Sequence, residues 1–430
     1  MKKRLSILTM IMLVICMIFG TNIFADEKIT VMGVWGGAEL EAFNKVMETF
    51  EAASDIEIEF EGTRDLPTLL TTRIEAGNPP DIVALTGVGM MNDLAVEGDL
   101  VNLENVLDMD QFNQDYNSVW KNLGSYNDSM YGLYISADVK SLVWYNPAAF
   151  TAKGYQIPEN WQDLELLMDE MVANGDIPWS IGIESGAASG WPGTDWIEDI
   201  MLRTAGPEVY DKWVNHDIPW TDERVKEAFE IFGKIVLDSQ HVWGGPTAVN
   251  ATNFGDAANP LFTEPPQAYM HRQASFITSF IKDNNPDLAA GDDFTFFPFP
   301  EIEEEYGTPV LGGADMMALM TEKEGAKQFM RFLASPGAQS IWVSELGKIG
   351  VNKRINPAVY PDELTAKMAE VLINAEVFRF DGSDSMPKAV GSGAFWQGIV
   401  DYINGKDLDT VLEYIESVAD ETYTDGAATN

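Results

Sequence analysis

Over residues 28–85, segments with the apolar pattern of a β-strand alternate with segments in which apolar positions recur at the spacing of an α-helix. Short β-branched or alternating runs indicate strands, and apolar positions three or four residues apart indicate helices. The predicted elements are a strand over 28–35, a helix over 40–50, a strand over 56–60, a helix over 66–76 and a strand over 81–85. This β-α-β-α-β order predicts an α/β fold with a sheet that is at least partly parallel.

The carboxyl ends of these strands are the expected ligand side of such a sheet. They fall in three loops, over residues 35–39, 62–65 and 86–89. Each loop brings polar or aromatic side chains to the same edge. We therefore expect a ligand site there.

The pattern changes after residue 131. Two strand-like pieces over 131–150 indicate a crossover, and residues 294–313 are a second crossover candidate. Asn160 and Asp222 precede helical patterns over 161–172 and 225–236, where each can cap a helix N-terminus. Residues 180–196 and 244–266 are rich in Gly, Ser, Asn, Pro and Trp, and loops of that length are usually functional.

Composition and charge exclude one class of partner. The chain has 430 residues, with 27 Lys and Arg against 68 Asp and Glu, for a net charge of −41. A nucleic-acid binder needs a basic surface for phosphates, so no nucleic acid is expected as a partner. A hydrophobic fraction of 46% predicts a chain that folds around substantial cores.

The first 25 residues have the features of a secretory signal. A basic start is followed by an apolar run over 5–19 and a small residue, Ala25, at the expected cleavage position. The alternatives are a membrane anchor, for which the run is short, and a lipoprotein acylated at Cys16, where the preceding Ile15 fits poorly. Export is expected, and because Cys16 is the only cysteine, the mature protein would have no disulfides.

Catalytic and metal motifs are absent from the sequence. The chain has three histidines, His216, His241 and His271, without metal-site spacing, and it has no nucleophile elbow and no phosphate-binding loop. We expect no metal and no cofactor. Paired carboxylates cannot be interpreted, because 68 acids make chance pairs unavoidable.

Several tryptophans next to glycine suggest carbohydrate chemistry. An indole face stacks on the C–H face of a pyranose, while carboxylates and guanidinium groups pair with its hydroxyls. The alternative is that these tryptophans only close the core, which is the interpretation for Trp144 and Trp342. The tryptophans in Gly-rich segments are Trp35, Trp191, Trp196, Trp243 and Trp396.

A series of segments in fixed order resembles the extracellular solute-binding proteins of ATP-driven sugar importers, the maltose-binding-like family. The segments are KITVMGVWGG, NPPDIVAL, YGLYISADVKSLVWYNPAAF, VLGGADMMAL and GAKQFMRFLASPGAQSIW. Within the family, three further segments are similar to the α-glucoside-binding branch: GWPGTDWIEDIMLRTAGPEVYDKWV, YMHRQASFI and FRFDGSDSMPKAVGSGAFWQGIVDYI. The similarity covers nearly the whole mature chain.

The resemblance implies a two-lobed α/β fold, with a mixed, mostly parallel sheet flanked by helices in each lobe and crossover strands as a hinge. It places residues 26–138 and 268–314 in the first lobe, and residues 139–267 and 315–430 in the second. It also implies an α-glucoside ligand, lobe closure, membrane permease subunits as partners and a monomer. The location would be periplasmic or extracellular, possibly at the outer face of the cytoplasmic membrane.

The resemblance also implies positions for the ligand contacts. Relatives have tryptophans where this chain has Ala274 and Ala314, so stacking is expected from Trp191 or Trp396 instead. For Arg379, the alternative to a sugar contact is a surface ion pair with Asp381. The implied contacts are Trp35, Glu39, Arg64, Thr86, Asp138, Trp191, Arg272, Gly313, Asp315, Arg379, Asp384 and Trp396.

Three functions remain open at this point. The sequence favours a binding protein that delivers a di- or oligosaccharide of maltose or trehalose type to an ABC importer. The alternatives are a secreted glycoside hydrolase or lyase, which would use a similar aromatic and carboxylate site, and a structural or sensory surface protein. No catalytic spacing supports the enzyme.

Overall fold

The computed structural model describes residues 27–345 and 348–424, and the predicted signal over residues 1–25 lies outside them. The strands are β1 (Glu27–Gly33), β2 (Ile56–Gly62), β3 (Ile82–Leu85), β4 (Ser125–Tyr126), β5 (Ser129–Met130), β6 (Gly132–Val139), β7 (Leu142–Tyr145), β8 (Met270–Arg272), β9 (Thr295–Pro298), β10 (Val310–Leu319) and β11 (Phe378–Phe380).

The helices account for most of the remaining chain. They are α1 (Gly37–Glu51), α2 (Leu66–Glu75), α3 (Val88–Glu97), α4 (Met109–Asp115), α5 (Ser118–Leu123), α6 (Pro147–Lys153), α7 (Trp161–Ala173), α8 (Trp191–Thr204), α9 (Pro207–Val214), α10 (Glu223–Val236), α11 (Gly245–Ala251), α12 (Ile277–Asn284), α13 (Glu324–Leu333), α14 (Pro336–Glu345), α15 (Glu363–Ile373), α16 (Gly382–Ser385), α17 (Trp396–Ile403) and α18 (Leu408–Thr424). Within the described ranges, no helix is both long and apolar enough to span a membrane.

The first lobe is built on a sheet with the strand order β2-β1-β3-β10-β11, and β6 pairs with β10. β1 runs parallel to both β2 and β3. β10 runs antiparallel to β3 and β6 but parallel to β11. The predicted β-α-β-α-β unit is therefore confirmed, and β1, β2 and β3 end at one edge.

The second lobe is dominated by helices around a small sheet, β8-β7-β9. Both pairings of that sheet are antiparallel, whereas the resemblance implied mostly parallel strands in each lobe. Its strands have only three or four residues. Packed helices rather than parallel β-α-β crossovers therefore organise this lobe.

Three apolar cores follow this division. One surrounds the first sheet, and a second lies among the helices of the second lobe. A third, smaller core includes Val139, Leu142 and Val310, where β6 passes into β7 and β10 begins. It also contains Leu364 and Met368 of α15. The crossover strands thus meet in a packed junction between the lobes.

The apolar cores divide the chain differently from the predicted lobes. The first lobe was predicted to contain residues 26–138 and 268–314, and the second lobe residues 139–267 and 315–430. Met316 and Trp342 belong to the first core, although residues 315–430 were expected in the second lobe. Met270 and Phe297 belong to the second core, although residues 268–314 were expected in the first. The end of β10 pairs with β3 and so returns the chain to the first sheet, whereas β8 and β9 both pair with β7 of the second lobe.

Helix caps agree with the sequence in two places. The Asn160 side chain accepts the N–H of Asp163 at 2.9 Å, and the Asp222 side chain accepts that of Arg224 at 3.0 Å. Trp191 and Trp196 differ from the prediction, since both lie in α8 and not in a loop. Gly190, with φ of 112°, ends the loop in a conformation that favours glycine, and a proline in the first turn starts the helix.

Candidate functional site

The carboxyl ends of β1, β2 and β3 open onto a cavity of about 510 Å³ between the lobes. This is the edge at which a parallel sheet is expected to bind its ligand. The structure brings ten of the twelve predicted contacts to this cavity: Trp35, Glu39, Arg64, Thr86, Asp138, Trp191, Gly313, Asp315, Asp384 and Trp396.

Arg272 is not among the residues that line the cavity. It lies on β8, and its guanidinium is buried in the second lobe, with Nη2 2.7 Å from Asp199 and Nη1 3.7 Å from Asp195. The guanidinium also lies over the ring of Trp196, 5.7 Å from the centroid. Arg272 therefore supports the packing behind the cavity and has no direct access to it.

Arg379 also lies away from the cavity. Its guanidinium forms a two-point ion pair with Asp211, at 2.6 Å from Nε and 2.8 Å from Nη2. The alternative partner, Asp381, pairs instead with Lys140. Arg379 thus forms neither a contact with the cavity nor an ion pair with Asp381; instead it joins β11 to α9.

One wall of the cavity is aromatic. The ring of Phe254 lies 5.2 Å from that of Trp191, 6.4 Å from that of Phe276 and 5.1 Å from that of Phe280. All four residues line the cavity. Of the four, the sequence prediction contained only Trp191, although Phe254 lies in the loop over 244–266 that was expected to be functional. This aromatic wall offers the apolar faces on which a sugar ring can stack.

Trp35 has a different role from the stacking residue suggested by its loop position. Its side chain is almost completely buried, and its ring lies 4.6 Å from Phe43 and 4.7 Å from Trp342. Its Nε1 donates to Asp315 at 3.1 Å. Trp35 therefore closes the core under the cavity and fixes a carboxylate.

The first charged group on the cavity surface consists of Lys348 and three carboxylates. Lys348 Nζ lies 3.4 Å from Glu39 and 3.6 Å from Asp138, and it forms its closest contact with Asp315. Burial raises the pKa of both Glu39 and Asp138, and the ammonium of Lys348 opposes that rise. Burial disfavours the charge of Lys348, but the three carboxylates outweigh it and raise its pKa.

The second charged group lies around Lys140. Lys140 Nζ is 3.0 Å from Asp195 and also pairs with Asp381. Glu198 accepts the backbone N–H groups of Gly382 and Ser383. Burial, together with the charge of Asp381, raises the pKa of Asp195 to about 7. This group ties α8 to the segment after β11.

The sequence did not identify the two lysines, Lys140 and Lys348. Each is a single lysine in an ordinary context, and each becomes buried only because distant acids surround it. Phe276 and Phe280 were not predicted either, because their spacing of four residues is typical of a helix that packs against a core. No local signal could have identified them.

Two clusters among the described residues have the spacing of metal ligands: His216 with Glu416 and Asp420, and Asp195 with Glu198 and Asp381. In the second cluster, Lys140 already occupies the position of a cation next to two of the carboxylates. In the first cluster, His216 lies 3.3 Å from Glu416, which also accepts the N–H of Trp220. Neither arrangement provides separate evidence for an ion.

Comparison with known proteins agrees with this architecture. The family model "Bacterial extracellular solute-binding protein" matches residues 36–340. The osmoprotective compounds-binding protein GgtB of Synechocystis sp. is 42% identical over 411 residues, which cover 95% of this chain and 97% of GgtB. The alpha-glucosides-binding periplasmic protein AglE of Rhizobium meliloti is 37% identical over 406 residues, covering 92% of this chain and 87% of AglE.

Solved structures share the fold. A chitin oligosaccharide binding protein superposes with a TM-score of 0.81 at 20% sequence identity, covering 93% of this chain and all of that one. The maltose-bound MalE3 of T. maritima superposes with a TM-score of 0.74 at 18% identity, covering 92% and 99%. At these identities the likeness establishes the two-lobed fold and not the ligand.

Proposed function

The chain belongs to the family of bacterial extracellular solute-binding proteins, and from that membership we propose that it captures an α-glucoside and delivers it to an ABC importer. The coarser statement follows from the family: the chain is a sugar-binding receptor that works with importer permeases, and it is not an enzyme. The family is extracellular or periplasmic. The α-glucoside, of the di- or oligosaccharide type represented by maltose and trehalose, is the finer proposal.

The observation that carries the proposal is the two-sided cavity. The aromatic wall of Trp191, Phe254, Phe276 and Phe280 belongs to the same cavity as the carboxylates of the first charged group. A pyranose has an apolar face for the rings and an edge of hydroxyls for the acids. Because AglE binds alpha-glucosides according to its name and is similar over most of the chain, an α-linked glucoside is the sugar that we propose.

GgtB suggests a second ligand class, since its name refers to osmoprotective compounds. Such compounds include neutral polyols and sugars as well as quaternary ammonium ions. The aromatic wall disfavours a cation, because its rings already face the protein's own positive charges. Arg64 lies 5.1 Å from the Phe254 centroid, Lys140 lies 5.5 Å from that of Trp191, and Lys348 lies 6.0 Å from that of Phe276. A neutral sugar avoids this repulsion.

Lobe closure is part of the proposal. Contacts already cross the cleft, because Lys388 Nζ of the second lobe lies 3.3 Å from both the carbonyl of Pro67 and the hydroxyl of Thr71 in α2. A Cβ at Gly89 would lie 1.8 Å from the carbonyl of Met386, so the lobes meet there backbone to backbone. We expect ligand to favour this closed arrangement, with a smaller radius of gyration in solution scattering.

Titration calorimetry with maltose, trehalose, sucrose and palatinose tests the ligand class. Cellobiose is the β-linked control, and glycine betaine, a zwitterion, is the quaternary-ammonium control. We expect at least one α-glucoside to bind and to be recovered intact after incubation. Preference for cellobiose or betaine would contradict the ligand class, whereas release of glucose would point to the hydrolase.

A further inference from the structure

Lys348 occupies an unusual position on the surface of the cavity. Its side chain is only 3% exposed, yet it lines the cavity. Its three carboxylate neighbours come from three separate elements: Glu39 from the first turn of α1, Asp138 from β6 and Asp315 from β10. A single ammonium therefore joins a helix to two crossover strands.

The three carboxylates differ in how many acceptor positions the protein fills. Asp315 is the most fully engaged, since it accepts from Trp35 at 3.1 Å, from Ser136 at 2.7 Å and from Lys348. From the part of the chain that the structure describes, Asp138 accepts one hydrogen bond, donated by Ser275 at 2.9 Å. Among the described residues, no hydrogen bond to the Glu39 side chain is found, and its ion pair with Lys348 is long, at 3.4 Å.

Glu39 and Asp138 thus bring unfilled acceptor positions to the cavity, whereas Asp315 anchors the lysine. An ionised carboxylate has about four acceptor positions, and ligand hydroxyls can complete them. Hydrogen bonds from hydroxyls to a charged carboxylate are shorter and stronger than those to a neutral group. Recognition of this kind therefore depends on Glu39 and Asp138 being ionised.

We propose that Lys348 is a positioning residue for ligand recognition, which holds Glu39 and Asp138 as charged acceptors for ligand hydroxyls. The proposal rests on the proposed function, because it assumes a polyhydroxyl ligand in this cavity. The residue does not need to touch the ligand: it acts through the two acids.

Charge explains why a lysine is needed. Three buried carboxylates in close proximity repel one another, and both burial and this repulsion favour protonation. Burial and the charge of Asp315 raise the pKa of Glu39 and of Asp138, while Lys348 lowers both. Arg64 adds a smaller lowering effect on Glu39, and Lys140 adds one on Asp138. Removal of the Lys348 ammonium would therefore raise both pKa values further.

The consequence is a specific pH dependence. In the wild type, affinity falls as the pH drops through the raised pKa values of Glu39 and Asp138. Without the lysine, those acids hold their protons up to a higher pH, so affinity is lost at a higher pH as well. A purely structural lysine would lower affinity at all pH values without moving this midpoint.

The test compares Lys348→Met and Lys348→Arg with the wild type by calorimetry from pH 5 to 9, using maltose, trehalose and sucrose as probes. Lys323→Met is the matched control, since Lys323 pairs with the buried Asp81 at 3.0 Å in the same lobe and lies outside the cavity. We expect Lys348→Met to weaken binding on the order of tenfold to a hundredfold at pH 7, with the midpoint displaced upward. Arginine should restore part of the affinity, and Lys323→Met should bind like the wild type.

Glu39→Gln keeps the proposal testable if Lys348→Met does not fold. Glutamine has the shape of the protonated acid, so this variant should bind weakly at every pH and lose part of the acid-side dependence. Wild-type affinity in Glu39→Gln, or an unmoved midpoint in Lys348→Met, would overturn the role of Lys348 while the sugar receptor stands. A wild-type protein that binds none of the glucosides would overturn the proposed function, and this role with it.

Discussion

The guanidinium of Arg64 lies over the ring of Phe254, 5.1 Å from the ring centroid, and so joins the two lobes across the cavity. Arg64 follows β2 in the first lobe, whereas Phe254 belongs to the aromatic wall of the second. The same ring can therefore contact the ligand and the opposite lobe. We therefore expect this contact, between the loop after β2 and the aromatic wall, to stabilise the closed arrangement of the lobes.

Loss of this contact should weaken ligand retention. A cation–π contact contributes about 0.5–2 kcal/mol, so Arg64→Met should raise the Kd roughly 2- to 30-fold. The change should lie mainly in a faster dissociation rate, measured by stopped-flow fluorescence. Arg224→Met is the control, because Arg224 pairs with Asp222 on the surface of the second lobe at 2.8 Å. An unchanged dissociation rate in Arg64→Met would contradict this stabilisation.

Trp191 should contribute more to affinity than any other ring of the wall, since it presents the largest face. Trp191→Ala removes a stacking surface of the kind whose burial is worth about 2 kcal/mol, or roughly thirtyfold in Kd. Trp191→Phe should retain most of the affinity. Trp243→Ala serves as the control, because Trp243 is half-buried and lies outside the cavity. Equal affinities of the Trp191 and Trp243 alanine variants in calorimetry would remove Trp191 from the site.

The sequence identified residues whose position depends on one local element. Glu39 and Thr86 follow strands with clear patterns, and a parallel sheet places strand ends together whatever lies elsewhere in the chain. Trp191 was identified from its chemistry, although its helix was not, because Gly190 and Pro192 looked like parts of a loop.

Residues that depend on several distant elements could not be identified. Lys348 is buried by acids on α1, β6 and β10, and no pattern within its own segment indicates this burial. The packing of the residues after 315 in the first core could not be predicted for the same reason, because the continuation of β10 into the first sheet is decided by its pairing with β3. Local periodicity predicts a strand but not its partner.

Arg379→Lys tests the revised position of that residue. Its pair with Asp211 is partly exposed, with 32% of the Arg379 side chain and 45% of the Asp211 side chain accessible. Such pairs contribute about 0.5 kcal/mol, so a small decrease in melting temperature is expected, and Asp211→Asn should match it. Calorimetry should give the wild-type Kd for both variants. A tenfold weaker Kd in Arg379→Lys alone would return the residue to the site.

Stability should increase when the pH falls from 8 to about 6.5. The pKa of Asp195 is about 7 in the folded protein and roughly 3.9 in an unfolded chain. Between these pKa values the folded state therefore binds a proton that the unfolded state lacks. The stabilisation contributed by Asp195 is complete below about pH 4 and is lost as the pH rises through 7. The slope is at most about 1.4 kcal/mol per pH unit for this group. Differential scanning calorimetry should show a higher melting temperature at pH 6.5 than at pH 8.

Below pH 6.5 the buried His271 should oppose this gain. Burial lowers the pKa of His271 to about 4, against roughly 6.5 when unfolded, so its contribution is lost as the pH falls between these values. The rise in melting temperature should therefore flatten between pH 6.5 and 4. In His271→Gln, whose amide can still donate to the carbonyl of Ser180, the rise should continue below pH 6.5. A wild-type melting temperature that increases from pH 6.5 to 8 would contradict the assignment of Asp195.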